Sequence, residues 1–256
     1  MISFNENLKK ISLIEVLFVI ILSYLLIFSL NFFQIVALDN DIINLLILLF
    51  FFIKLRGSIS DLKSDASSIF SAISFREILV LVLLNILFSY GMLYLSNYLV
   101  HSVPIDGYLS FLIPSKSINN NFVGIFSLIS VVLISPLAEE SLFRGIFLNK
   151  LKLVVPVTFA VMISSLLFAS LHSFGGIISA FVFGMCMAIL YLKTDNILVP
   201  ILAHFINNLL SEVIYHLDYS DLLFANDIVM VFVSGLAIVS FIVLFKFIKI
   251  NLKNIY

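Results

Sequence analysis

Two adjacent glutamates and an arginine interrupt a long apolar stretch of the chain. The stretch extends from Phe122 to Leu148 and contains Glu139, Glu140 and Arg144. A charged side chain near the centre of a bilayer costs about 2.5–3.5 kcal/mol on scales derived from insertion experiments. Because three such residues are costly when they are unpaired, we expect them to pair with one another or to perform chemistry.

A helical conformation would give these three charges different roles. Glu140 and Arg144 are four residues apart, so they lie on one face of a helix and can form a structural ion pair. Glu139 lies about 100° further round the helix axis and is not neutralised by that pair. The sequence therefore leaves Glu139 as the free carboxylate, and a free carboxylate inside a membrane is a candidate general base.

Three more polar residues, His172, His204 and Asn208, fall within apolar segments. His204 and Asn208 are one helical turn apart, which suits two groups that hold a single atom or ligand. Glu139 and His172 lie at equal sequence distance from a point beside Pro156, so a chain that folds back there would place them at similar depth. The alternative role for a lone His or Asn in a membrane is an interhelical hydrogen bond, worth about 0.6 kcal/mol on average.

The composition is that of a polytopic helical membrane protein. Of the 256 residues, 62% are hydrophobic and 11% are charged, and the mean hydropathy is +1.21. The net charge of −1 excludes a nucleic-acid partner, because no basic surface is present to neutralise phosphates. The lone cysteine, Cys186, cannot form an intramolecular disulfide and is expected in the core.

Hydropathy and chain breakers predict an all-α bundle of eight transmembrane helices. The predicted spans are 12–33, 38–54, 77–99, 122–150, 155–172, 175–193, 197–216 and 227–248. We expect one integral-membrane domain, 1–256, with peripheral spans within residues 1–100, a core at 120–216 and a last span at 227–248.

Basic residues predict the orientation of these spans. With both termini in the cytoplasm, twelve Lys and Arg residues lie on the cytoplasmic side and only Lys116 lies on the other, which is a strong positive-inside asymmetry. The twelve are Lys9, Lys10, Lys54, Arg56, Lys63, Arg76, Lys150, Lys152, Lys193, Lys246, Lys249 and Lys253. The abundance of Ile, Leu, Asn and Lys is typical of AT-rich bacterial genes and favours a bacterial cytoplasmic membrane.

Three motifs in neighbouring predicted spans give the chain a resemblance to a known family. Glu139-Glu140-Ser-Leu-Phe-Arg144 is similar to EExxxR, Phe168-Ala-Ser-Leu-His172 to FxxxH, and His204-Phe-Ile-Asn-Asn208 to HxxxN. Together they resemble the CAAX-protease and bacteriocin-processing intramembrane endopeptidases, which include the type II CAAX prenyl endopeptidases and the Abi proteins. The resemblance covers about residues 120–216.

This resemblance implies hydrolysis of a peptide bond within the membrane. It implies that Glu139 and His172 activate water and that His204 and Asn208 hold the developing oxyanion. The implied catalytic set is Glu139, Glu140, His172, His204 and Asn208, with Arg144 in a structural ion pair. The neighbouring Asn207 points to another face of the helix, so we expect a far smaller role for it.

The cofactor is left open by the residues. Glu139, His172 and His204 could form an open zinc site with water as the fourth ligand, as the family's metalloprotease label implies. The chain contains no HExxH motif, and asparagine is a poor zinc ligand, so a metal-free glutamate mechanism is equally consistent. The expected cofactor is therefore zinc or none.

The substrate is not encoded visibly, and two other classes of function compete. A lipidated protein with a CAAX-type C-terminus, another membrane protein, and a peptide pheromone or bacteriocin precursor, in processing or in self-immunity, all fit. The oligomeric state is not predicted. A non-proteolytic membrane scaffold would not need the intact catalytic residues. A proton-coupled transporter could use Glu139 and His172 as a relay, but the chain shows no inverted repeat.

Overall fold

The computed structural model describes residues 4–33, 41–102, 121–218 and 226–255. Within these ranges every regular element is helical, which confirms the predicted all-α membrane bundle. The helices are α1 (Phe4–Lys9), α2 (Leu13–Phe32), α3 (Asp41–Leu55), α4 (Leu62–Ala72), α5 (Phe75–Ser102), α6 (Asn121–Ile129), α7 (Ser135–Glu140), α8 (Asn149–Leu151), α9 (Val157–Ala169), α10 (Ile177–Thr194), α11 (Leu198–Leu217) and α12 (Asp227–Asn254).

Seven helical segments of the described chain are long and apolar enough to cross a membrane. They are Leu13–Phe32, Ile42–Ala72, Phe75–Ser96, Gly124–Leu151, Ile177–Thr194, Leu198–Leu217 and Ile228–Asn254. These segments correspond to seven of the eight predicted spans, and they make the chain an integral membrane protein. Lys116, which was predicted to lie on the opposite side from the other basic residues, falls outside the described residues.

The fifth predicted span, 155–172, is shorter than the hydropathy indicates. Helix α9 contains only 13 residues, so it is about 20 Å long, whereas the hydrocarbon core of a bilayer is about 30 Å thick. Pro156 precedes the helix with extended backbone, and the helix ends at Ala169. The apolar residues on either side of α9 belong to turns, which a hydropathy window does not distinguish from helix.

The helical segment that carries the three charges contains two π-helical turns. Residues Ser130–Ile134 form the first π segment, between α6 and α7, and Ser141–Leu148 form the second, between α7 and α8. Pro136 is the second residue after the first π segment. Because proline has no N–H and crowds the preceding turn of a helix, a wider turn at this position accommodates it.

Four helices surround this segment and supply the rest of the site. α3 and α11 pack against α7, and α9 and α10 pack against the second π segment. α1 also contacts the second π segment, where Leu8 fills the space beside Gly145 so closely that a Cβ there would collide with it. α10 is the most buried of the long helices, and its Cys186 is a buried free thiol, as predicted.

Candidate active site

Glu140 is the centre of a fully buried charge cluster. Its side chain has no exposed surface, and its Oε1 accepts a hydrogen bond from Arg144 Nη1 at 3.0 Å. The same oxygen lies 2.8 Å from Nδ1 of His204 on α11. The predicted ion pair between Glu140 and Arg144 is therefore present, and the carboxylate also orients a histidine from another helix.

Two further groups hold Arg144 besides the Glu140 carboxylate. Its Nη2 donates to the backbone carbonyl of Gly184 on α10 at 2.9 Å, and its guanidinium carbon lies 4.6 Å from the centre of the Phe168 ring. A carboxylate, a carbonyl and an aromatic face together compensate for the water that this buried cation has lost. The contacts support the structural role expected for Arg144.

The position of Arg144 leaves no room for a side chain at Gly184. A Cβ on Gly184 would lie 3.2 Å from Arg144 Nη2 and 3.3 Å from a ring carbon of Phe168. Those separations are shorter than ordinary van der Waals contact. The absence of a side chain thus lets α10 approach closely enough for its carbonyl to accept from the guanidinium.

Glu139 has surroundings different from those of its neighbour. It is half-buried, and its Oε1 lies 3.4 Å from Nδ2 of Asn44 on α3. The same amide nitrogen donates to Ser135 Oγ at 2.8 Å. Glu139 makes no ion pair within the described part of the chain, which matches the expectation that it is the carboxylate not neutralised by Arg144.

His172 lies at an exposed position three residues beyond α9. Its Nδ1 is 3.2 Å from the carbonyl oxygen of Phe168. Because a carbonyl can only accept, this contact requires the proton on Nδ1 and leaves the Nε2 lone pair available as a base.

Phe168 is an aromatic spacer between the two histidines. Its fully buried ring lies 4.8 Å from the His172 ring and 5.7 Å from the His204 ring, measured between centroids. The phenylalanine of the FxxxH motif thus touches His172, His204 and Arg144. Glu139 and His172, which the sequence predicts to lie close together, have separate hydrogen-bond partners, Asn44 and Phe168.

Asn208 donates from its Nδ2 to the backbone carbonyl of Val131 at 2.8 Å. Val131 lies in the first π segment. The oxygen of the Asn208 amide accepts a hydrogen bond from Nδ2 of Asn207 at 3.2 Å, and Asn207 Oδ1 accepts from Nδ2 of Asn85 on α5 at 3.0 Å. The expectation that Asn207 points away from Asn208 is therefore wrong, because an amide side chain is long enough to reach its neighbour along the helix.

The residues considered for zinc do not form a ligand set. Across the residues that the structure describes, no group of three or more His, Cys, Asp or Glu side chains is arranged to hold a metal ion. In His204 and His172 the Nδ1 atoms are directed to Glu140 and to the Phe168 carbonyl, so only the Nε2 atoms could bind a metal. In the described structure Glu139, His172 and His204 are not gathered around one point, as an open zinc site requires.

Two site residues, Asn44 and Asn85, were not predicted from the sequence. Each is an asparagine flanked by apolar residues in a largely apolar helix. A polar residue in a membrane span was the signal that drew attention to His204 and Asn208, and the same signal applies to these two. Both lie before residue 120, where no motif directed attention to them.

One family model matches part of the chain. Residues 121–210 match the model described as Type II CAAX prenyl endopeptidase Rce1-like. This segment is similar to that family. The matched segment contains Glu139, Glu140, Arg144, His172, His204 and Asn208, which confirms the resemblance to the CAAX-protease family. No curated protein matches the chain, and no solved structure does.

The Rce1-like match covers only part of the structure. It begins at α6 and ends within α11, so it includes the π segments, α7, α9 and α10. Asn44 and Asn85 lie outside it, on α3 and α5. The family match supports a protease that acts in the membrane. Two contacts to this segment, from Asn44 to Glu139 and from Asn85 to Asn207, come from helices beyond it.

Proposed function

We propose that this protein is an intramembrane endopeptidase that hydrolyses a peptide bond in a membrane-associated peptide or a lipidated protein. The observation that carries the proposal is the contrast between the two adjacent glutamates of the family motif. Glu140 is fully buried between Arg144 and His204, whereas Glu139 is half-buried and makes only a polar contact with Asn44. One carboxylate holds the site together, and the other is free for chemistry.

The proposed reaction begins at Glu139. The carboxylate takes a proton from a water molecule while the water oxygen attacks the carbonyl carbon of the scissile bond. The carbonyl oxygen then carries the negative charge of a tetrahedral intermediate. When that intermediate collapses, the C–N bond breaks and the proton passes to the leaving nitrogen, giving a carboxylic acid and an amine. The Nε2 lone pair of His172 can share this proton during the transfer.

His204 and Asn208 are the proposed donors to the oxyanion. Nδ1 of His204 faces the Glu140 carboxylate, which can only accept, so the proposed ring also carries a proton on Nε2, as an imidazolium, and donates it toward a substrate. Asn208 has two N–H groups and uses one on Val131, and the other can donate to developing charge. Because the two residues project from one face of α11, they can act on the same oxygen atom.

The proposed membrane setting follows from the charge asymmetry of the sequence. One integral-membrane domain with both termini in the cytoplasm, in a bacterial cytoplasmic membrane, would receive its substrate from the cytoplasmic leaflet or the cytosol. The family name points to a prenylated C-terminus as the first substrate to test. Bacteriocin or pheromone processing is the other proposed role, and it requires an unlipidated peptide.

The decisive experiment is a cleavage assay on purified protein in liposomes. The probe is a peptide that ends in farnesyl-cysteine followed by two aliphatic residues and a C-terminal serine, and mass spectrometry detects the released tripeptide. An unfarnesylated copy of the peptide separates a requirement for lipid from a requirement for sequence. We expect the wild type to cleave and Glu139→Gln to be inactive.

Glu15→Gln is the matched control for Glu139→Gln. Glu15 is an exposed glutamate that pairs with Lys54 at 2.8 Å on the surface, and exposed pairs contribute little to stability. This variant should cleave at the wild-type rate. Cleavage by Glu139→Gln at that rate would overturn the assignment of the base. A folded wild type that cleaves neither peptide would instead favour the scaffold function.

A further inference from the structure

We propose that Asn85 and Asn207 are positioning residues that fix the orientation of the Asn208 amide in the active site. The inference rests on the proposed function, in which Asn208 donates to the oxyanion. Asn85 lies in α5 outside the three motifs, and Asn207 lies in α11 at a variable position of HxxxN. Their effect on the reaction would pass entirely through Asn208.

The carbonyl of Val131 lacks the backbone donor that its π-helical turn would normally supply. In the first π segment the N–H of Ser135 donates to the carbonyl of Ser130, five residues earlier. The next bond of this pattern would run from residue 136 to the carbonyl of Val131, but residue 136 is proline and has no N–H. Asn208 Nδ2 supplies the missing donor at 2.8 Å. Pro136 thus creates the acceptor on which Asn208 is anchored.

The hydrogen bonds also fix the direction in which the Asn208 side-chain amide points. The oxygen of Asn208 accepts from Asn207, and the oxygen of Asn207 accepts from Asn85, so donation runs one way from Asn85 to the Val131 carbonyl. If the Asn208 amide turned over, its oxygen would face the carbonyl oxygen of Val131 and its nitrogen would face the nitrogen of Asn207. Both new contacts would be repulsive, so the chain of amides permits one orientation of Asn208.

Helix packing anchors this hydrogen-bonded series of amides in the bundle. Asn85 is buried on α5, whereas Asn207 and Asn208 are half-buried on α11. α5 packs against α11, so the position of Asn85 is set by helix packing that does not depend on a substrate. Because the amide group is planar, fixing one N–H of Asn208 on Val131 also fixes the direction of the other N–H, the one proposed to face the oxyanion.

The test separates positioning from folding through the kinetic constants. Asn85→Leu removes the donor and leaves an apolar side chain of similar size in an apolar helix. With the farnesylated peptide as probe, we expect kcat to fall by roughly 10–100-fold while KM changes little, because a displaced donor weakens the transition state more than the bound substrate. Asn207→Leu interrupts the same chain and should give the same result, which keeps the test available if Asn85→Leu does not fold.

Asn251→Leu is the matched control. Asn251 lies on α12, is half-buried, and donates only to the carbonyl of Phe247 four residues earlier. Its replacement should leave kcat and KM unchanged. If Asn85→Leu and Asn207→Leu are folded and cleave with the wild-type kcat, the positioning role is overturned.

A second measurement does not need activity. The melting temperatures of Asn85→Leu, Asn208→Ala and the double variant should be non-additive, since both residues belong to one hydrogen-bonded chain, whereas Asn251→Leu and Asn208→Ala should be additive. Additive shifts for the first pair would overturn the amide chain. Absence of cleavage by the folded wild type would overturn the proposed function, and the melting temperatures would still decide whether Asn85 acts on Asn208.

Discussion

His204 Nδ1 lies 2.8 Å from Oε1 of Glu140, the same oxygen that accepts from Arg144. One carboxylate oxygen therefore joins the EExxxR and HxxxN motifs, which are separated by about 60 residues of sequence and lie on different helices. Glu140 Oε2 has no hydrogen-bond partner within the described part of the chain. The cluster depends on this one oxygen, so removing either Arg144 or His204 should affect the whole site.

Arg144→Ala is expected to destabilise the protein by about 3–5 kcal/mol, because it leaves Glu140 buried without its main counter-charge. Glu139→Gln should fold close to normally, since Glu139 makes no ion pair among the described residues. Denaturation of the purified protein in detergent, followed by intrinsic fluorescence or circular dichroism, measures the difference. A stable Arg144→Ala together with a misfolded Glu139→Gln would reverse the two roles.

Gly184→Ala is expected to destabilise the protein by about 1–3 kcal/mol through overpacking. The new methyl group would lie 3.1 Å from Ser165 Cβ and 3.2 Å from Arg144 Nη2. Gly235→Ala is the matched control, because a Cβ at Gly235 on α12 meets no atom within 4 Å. That change should be neutral or stabilise by up to about 1 kcal/mol, as alanine is the better helix former. Equal melting temperatures for the two variants would contradict the close approach of α10 to the guanidinium.

The sequence predicts the parts of the site that depend on spacing within one helix. The pair Glu140–Arg144 follows from four-residue spacing, and the structure confirms it. The contact between Glu140 and His204 does not follow from any local pattern, because it depends on how α7 and α11 pack. Helix packing angles are set by the side chains of both partners, which a pattern along one helix does not contain.

Asn207 and α9 show two other limits of sequence reasoning. Helical periodicity places Asn207 about 100° away from Asn208, but periodicity describes Cβ directions and not the reach of an amide side chain. Hydropathy extended α9 into its flanking turns, although Pro156 marked the start of the helix. Pro136 could have indicated the role of Asn208, because a proline inside a membrane helix leaves a backbone carbonyl that needs another hydrogen-bond donor.

The short α9 makes the number of membrane crossings a question that experiment can decide. Both termini can lie in the cytoplasm only if the number of crossings is even, and seven described segments are long enough to span. We expect α9 to carry the chain across as the eighth crossing, with the bilayer thinned locally at a cost of fractions of a kcal/mol per Å of mismatch. Reporter fusions after Lys253 and after Asn119 should then report opposite sides of the membrane. The same side for both fusions would rule out the eight-crossing topology.

Metal chelation separates the two mechanisms that the sequence leaves open. Because Glu139, His172 and His204 do not form a ligand set in the described structure, we expect cleavage of the farnesylated peptide to survive prolonged incubation with a chelator. The metal content of the purified protein, measured by mass spectrometry, should not correlate with its activity. Loss of activity on chelation, restored by zinc alone, would show instead that substrate binding assembles a zinc site around His204.

Asn208→Ala should lower kcat by about 10²–10³ with little change in KM, since a lost oxyanion donor acts on the transition state.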